Sequence, residues 1–293
     1  MENRAFAIVT DSCCDMEESY YKANGIDYVK LGFTMNNVNY GGEDGEKIGL
    51  KEFYDKMRNG AMPTTYQVTG ESAKEHIETH LQKGKDVLVL TFSSGLSGTN
   101  GSFVVASRAL SEAYPDRKIF VVDSLCACMG QGLLLDYLVK KANEGATIEE
   151  TRDYIEGIKL KMCHHFTVDN LFHLKRGGRV SGVTAIVGSL LKIKPVMHVN
   201  DEGKLIVVGK SMGRKKAIAT LVENMMKTQE VGENDPVYIA HGDCIEDAEY
   251  LKKLVLEKLP HAQVTIGYIG AVIGAHAGDG TLALFNIGKN RSV

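Results

Sequence analysis

Asp86-Val87-Leu88-Val89-Leu90-Thr91-Phe92-Ser93-Ser94-Gly95-Leu96-Ser97-Gly98-Thr99 is the stretch on which the fold turns. Val87–Phe92 is a run apolar but for Thr91, as long as a strand covered on both faces. It ends in a burst of hydroxyls and glycines, and a helical pattern follows at once, from Asn100 to Ala113. A strand passing through a short turn into a helix leaves unpaired N–H groups at the helix start. With serine hydroxyls beside them, such a place suits a carboxylate or a phosphate. In open α/β sheets, ligands sit at these carboxyl ends of strands.

Working outward, the first half alternates strand and helix. Strands are expected at Ala5–Thr10, Tyr28–Phe33, Val87–Phe92 and Lys118–Asp123. Helices are expected at Met16–Ala23, Leu50–Asn59, Glu71–Lys83, Asn100–Ala113, Gly130–Glu144 and Ile148–Leu160. That order predicts a mostly parallel sheet with helices on both faces. Asn36–Gly49 reads as a loop with a short hairpin. The second half mixes hairpins with helices. Its strands are expected at His164–Val168, Ile193–Val199, Leu205–Lys210, Val237–His241, Gln263–Ile269 and Leu282–Ile287, with Asn200-Asp201-Glu202-Gly203 as a hairpin turn. Helices are expected at Val183–Lys192, Arg214–Met226 and Ile245–Leu259. The fold class is therefore α/β in two domains: residues 1–161 with a mostly parallel sheet, and residues 162–293 of α+β type.

Composition narrows the function. The chain has 293 residues, 44% of them hydrophobic, and a formal net charge of −3 with no long basic run. Nucleic acid is a poor partner for it. Its six cysteines form no CxxC pair, and no histidines are spaced around them as zinc ligands, so no metal is expected. They read as reduced thiols of a cytoplasmic protein. Met1-Glu2-Asn3-Arg4 leads straight into an apolar strand without a signal-peptide pattern, and no run is long enough to span a membrane.

Three strands of the first half end in short polar residues: Thr10-Asp11-Ser12, Thr91-Phe92-Ser93-Ser94 and Asp123-Ser124. In a parallel sheet these ends share one edge. Asp11, Ser12 and Asp123 read best as caps. Ser93 and Ser94, with Ser97 and Thr99 close behind, exceed what capping needs and read as ligand contacts. Pro63–Thr69 is a second hydroxyl-rich loop, with Thr69 placed to cap the helix that follows. Lys175-Arg176-Gly177-Gly178-Arg179 is a tight basic turn. It reads equally as a site for phosphate or an acidic partner and as a solvated loop. His276 stands alone among small residues, a setting that is more often structural than chemical. His76 and His80 share a helix face without an evident third ligand. Gly209-Lys210-Ser211 lacks the first glycine of a phosphate loop, and no GxGxxG or GxSxG motif is present.

Taken in order, these motifs resemble the DegV family of bacterial fatty-acid-binding proteins over nearly the whole chain. The resemblance rests on Thr10-Asp11-Ser12, Thr65-Tyr66-Gln67, Ser93 to Thr99, Asp123-Ser124, Leu174 to Arg179, Lys194-Pro195 and the glycine-rich segment around His276. It implies a long-chain fatty acid between two domains. Its carboxylate would be gripped by Thr65, Ser93 and Ser94, with His276 nearby. It also implies a carrier that presents this carboxylate to a separate ATP-binding fatty acid kinase subunit, the acyl phosphate then feeding phospholipid synthesis. In that setting Arg176 and Arg179 would meet the partner or the new phosphate, and helix Val183–Lys192 would wall the tunnel. Where the family often has Ser and Pro, this chain has Tyr66 and Val68. Where the family commonly has His-Thr-Gly-Pro-Gly, it has His276-Ala277-Gly278-Asp279-Gly280.

The expectation is thus a ligand carrier, not an enzyme, with a bound fatty acid, no cofactor and no catalytic residue. Its partners would be a kinase subunit and, transiently, a membrane surface. One alternative is an enzyme of the same fold acting on a small anionic metabolite, with His276 as acid or base and the two arginines as an anion clamp. The other is a lipid-sensing regulator without a kinase.

Overall fold

The computed structural model describes residues 4–169, 171–180, 193–228 and 236–291. In chain order the strands are β1 (Phe6–Asp11), β2 (Ile26–Val29), β3 (Gly32–Met35), β4 (Val38–Gly41), β5 (Thr64–Tyr66), β6 (Asp86–Thr91), β7 (Ile119–Asp123), β8 (Met162–Thr167), β9 (Ile193–Val199), β10 (Leu205–Met212), β11 (Pro236–His241), β12 (Gln263–Tyr268) and β13 (Leu282–Ile287). The helices are α1 (Glu18–Ala23), α2 (Leu50–Arg58), α3 (Gly70–Leu81), α4 (Thr99–Ala113), α5 (Met129–Asn143), α6 (Ile148–Ile158), α7 (Phe172–Arg176), α8 (Arg214–Thr228), α9 (Ile245–Lys258) and α10 (Ala271–Ala277). The expected helix Val183–Lys192 lies outside the described residues.

A four-stranded parallel sheet, ordered β2-β1-β6-β7, fills the first half, as its buried apolar runs require. The second half holds a six-stranded mixed sheet, β10-β9-β8-β13-β11-β12. The mixed α/β architecture expected from the sequence is the one found. Helix α5 lies between the two sheets, and nearly every residue from Met129 to Ala142 that faces a neighbour is apolar and buried. Its first two turns, Met129 to Leu135, are buried on every side and keep no polar face, whereas Lys140 and Asn143 are exposed near its end. The largest apolar cluster therefore runs through it, joining Ile8 and Leu88 to Phe166, Met197 and Phe285. Arg291 adds a polar tie. It is fully buried and donates from Nη1 to Leu125 O (2.6 Å) and Asn200 O (3.0 Å), and from Nη2 to Lys159 O (2.6 Å).

Three local expectations are corrected. The apolar run Tyr28–Phe33 is not one strand: the chain breaks at Lys30-Leu31, so β2 joins the parallel sheet while β3 enters a small antiparallel sheet, β4-β3-β5. Ser12 Oγ accepts the Leu31 N–H at 3.0 Å and fixes that break. The Pro63–Thr69 loop contains strand β5, paired with β3 so that Phe33 faces Thr65. The basic turn begins on the last two residues of a short helix, α7, and the glycine-rich segment contains another, α10. Gly274 of α10 packs where a Cβ would lie 2.5 Å from Tyr54 Oη, so close packing rather than helix propensity places it there. Thr69 does cap α3, accepting the Ser72 N–H at 3.1 Å.

His76 and His80 do find a third group. Asp27 of β2 bonds His76 Nδ1 at 3.0 Å and His80 Nε2 at 3.1 Å. The bond to Asp27 raises the His76 imidazole above its ordinary value. Between the ordinary value, about 6.5, and the raised one, the native chain keeps a proton that the unfolded chain releases. This stabilisation is complete below the ordinary value and is lost as pH rises through the raised one. Asp27→Asn should therefore cost about 0.5–1 kcal/mol near pH ~5.5 and less near pH ~8.5, read from urea midpoints. An equal loss at both would show that the imidazole takes no part.

Candidate functional site

Between the two sheets lies a cavity of about 330 Å³, within the range of small-ligand sites. Both halves of the chain wall it. Leu31, Phe92 and Leu96 come from the first; Phe166, Val199, Leu205 and Phe285 come from the second. Ile269, Val272 and Ile273 extend the apolar surface toward α10. Polar groups converge at one region, where Thr65, Gln67, Ser97, Arg179 and His276 all reach the lining. His164 also reaches it, but its ring is fully engaged: Nε2 accepts the Ala127 N–H (3.1 Å) and Nδ1 bonds Met162 O (3.0 Å).

Strand β5 and helix α10 bring Thr65 and His276 together, with Oγ1 to Nε2 at 2.8 Å. Burial holds the His276 imidazole down to about 4, and the nearby Arg179 and Arg176 charges add to the effect. The ring is neutral at pH 7. Its Nδ1 is enclosed and unpartnered among the described residues. That nitrogen sits 2.1 Å from where a Cβ on Gly177 would be, so only glycine fits under the ring. Helix α10 is seated from below by Tyr54, whose hydroxyl donates to Ile269 O at 2.9 Å. Asp15 approaches its capping residue, Gly270, and burial raises that carboxyl to about 7.

The serine loop is placed differently. Ser93 is fully buried, donates from Oγ to Gly203 O at 2.8 Å and accepts the Gly95 N–H at 3.1 Å. Ser94 is exposed, and its N–H is taken by Asp123 Oδ1 at 3.2 Å. Neither lines the cavity; Leu96 and Ser97 do. Of the expected caps, Asp11 caps the short Ser12–Cys14 turn, taking the Cys13 N–H (3.0 Å); Asp123 caps no helix, because α5 begins only at Met129, and takes the loop's Leu125 N–H (3.0 Å) instead. Asp11 also takes the Phe92 N–H at 2.6 Å, and burial raises its carboxyl to about 6. Arg179 reaches the cavity and donates to Leu96 O at 3.1 Å, while Arg176 donates to Pro63 O and Ala275 O. Asp279 points its charge at Arg58 (3.3 Å) and is absent from the lining. Sequence reasoning named Ser97 only as a companion of Ser93 and Ser94, yet of the three it is the one that lines the cavity. The residue types carry no signal that separates Ser97 from Ser93; the hairpin at Gly203, which takes the Ser93 proton, does.

Comparison with known proteins places this arrangement. The sequence profile of the DegV family, described as uncharacterised proteins, matches residues 5–289. A DegV domain-containing protein of Clostridium perfringens is 43% identical over 288 residues, covering 98% of this chain and 99% of its own. A fatty-acid-binding DegV family protein from Thermus thermophilus superposes with a TM-score of 0.88 at 29% identity, over 97% of this chain and 99% of its own. A stearic-acid-binding protein from Eubacterium ventriosum superposes with a TM-score of 0.86 at 26% identity, over 97% of this chain and 98% of its own.

Proposed function

The chain belongs to the DegV family, and on that premise we propose that it binds a long-chain fatty acid in the cavity between its two sheets. The observation that carries the reading is a mostly apolar space between the sheets whose lining includes the Thr65–His276 pair and Arg179. An acyl tail gains about 0.8 kcal/mol per buried CH₂, so a long chain in a dry cavity dissociates rarely. The carboxylate takes the Thr65 hydroxyl proton, with the neutral His276 behind it and the Arg179 charge opposite. Ser97 is a further hydroxyl of the lining. Ser93 and Ser94 act from behind, Ser93 by holding the Gly203 turn against the loop that carries Leu96.

The same reading makes the chain a carrier. It presents the carboxylate to a separate ATP-binding kinase subunit, which forms the acyl phosphate. Exposed Lys175, Arg176 and Tyr66 stand next to the polar region and supply a basic, amphipathic rim for that partner. Compartment and pathway follow from this role: a cytoplasmic protein supplying phospholipid synthesis. The test of the binding claim is chemical identification of what the purified chain carries.

A further inference from the structure

Arg176 ends helix α7 as an exposed residue, yet one of its nitrogens is turned inward. Nη2 donates to Pro63 O at 2.9 Å and to Ala275 O at 3.1 Å. The two carbonyls belong to different parts of the chain. Pro63 stands two residues before Thr65, leading into β5; Ala275 stands one residue before His276, within α10. The side chains that follow those carbonyls meet at 2.8 Å. A guanidinium nitrogen carries two N–H bonds at a fixed angle, so one planar group spaces both backbones. The next residue, Gly177, leaves the space into which the His276 ring fits.

We propose that Arg176 is a positioning residue that sets the Thr65–His276 geometry by clamping the two backbones that carry the pair. This rests on the reading of that pair as the head-group site, but the clamp itself is measurable without ligand. A clamp differs from a nearby positive charge, because it acts through direction and spacing. A charge would be replaced by lysine; a planar two-bond bridge would be replaced only in part.

The experiment uses full-length protein stripped of lipid, with nitrogen-15 in its histidine rings, at a pH where His276 is neutral. In the wild type, the His276 Nε2 resonance should shift on Thr65→Val, which identifies the hydrogen-bonded ring. Arg176→Ala should move the same resonance toward its Thr65→Val position, and Arg176→Lys should recover the wild-type position only partly. In binding of stearic acid, Arg176→Ala should weaken affinity roughly tenfold, the size of one hydrogen bond. The double variant with Thr65→Val should be little weaker than Thr65→Val alone, since both changes break one unit. An unchanged ring resonance in Arg176→Ala, or full recovery by lysine, would overturn the clamp. So would additive losses in the double variant. If stearic acid binds Thr65→Val as tightly as wild type, the head-group reading fails instead, and the ring resonance alone decides the clamp.

Discussion

Thr65→Val is expected to weaken fatty-acid binding about 10- to 150-fold without unfolding the protein. Valine keeps the shape and removes the hydroxyl, which is the group that both meets His276 at 2.8 Å and faces the cavity. A hydrogen bond to a charged partner contributes about 1.5–3 kcal/mol, and its loss leaves the carboxylate short of a donor. Thr65 is only half-buried and lies in a three-residue strand, so β3 still holds β5 in place. Titration of lipid-stripped protein with stearic acid, beside a thermal melt, reads both quantities. Unchanged affinity with an unchanged melt would move the head group away from Thr65.

Gly95→Ala should cost about 1–3 kcal/mol of stability and loosen the bound lipid, because the change overpacks a contact between the two halves. A Cβ on Gly95 would stand 2.6 Å from Glu202 O and 2.8 Å from Gly203 O. Both are backbone atoms of the turn joining β9 to β10, and they cannot swing away as a side-chain tip can. Relief requires the turn to retreat, which breaks the Ser93 Oγ bond to Gly203 O and draws Val199 and Leu205 off the cavity. Gly101→Ala is the internal control. It lies in helix α4 with open space around it, so alanine should stabilise by about 0.5–1 kcal/mol. Urea unfolding of both variants checks the pair. A loss at Gly95 no larger than the change at Gly101 would mean that the turn does not seat on this loop.

The sheets were legible because buried parallel strands write themselves as short apolar runs. Phe6–Asp11 and Asp86–Thr91 are buried almost throughout and lie within a residue of where the apolar pattern ends. Two sheets sharing the run Tyr28–Phe33 were not legible, since only the tertiary partner of Leu31 fixes the break. Helix α10 was hidden by Gly274 within it and the glycines around it; Gly274 serves packing on Tyr54 rather than helix propensity. The site divides in the same way. Thr65 and His276 are 211 residues apart, and no spacing rule links them; resemblance to the family named both. Composition singled out Ser93 as a ligand contact, but short hydroxyls also satisfy nearby backbone. The hydroxyl proton of Ser93 is taken by Gly203 O. The basic turn read from sequence as either a contact site or a solvated loop; Arg176 is exposed, yet it and Arg179 also donate to backbone carbonyls of other segments, which no local pattern encodes.

The most direct measurement of the central claim is mass spectrometry of the purified chain, native and after organic extraction. The account predicts a mass excess over the 293-residue chain that matches one long-chain fatty acid. That acid should be recovered in the extract in equimolar amount and be absent from a variant whose cavity is filled by Ala283→Trp. A stoichiometric polar metabolite with no lipid in the extract would contradict it.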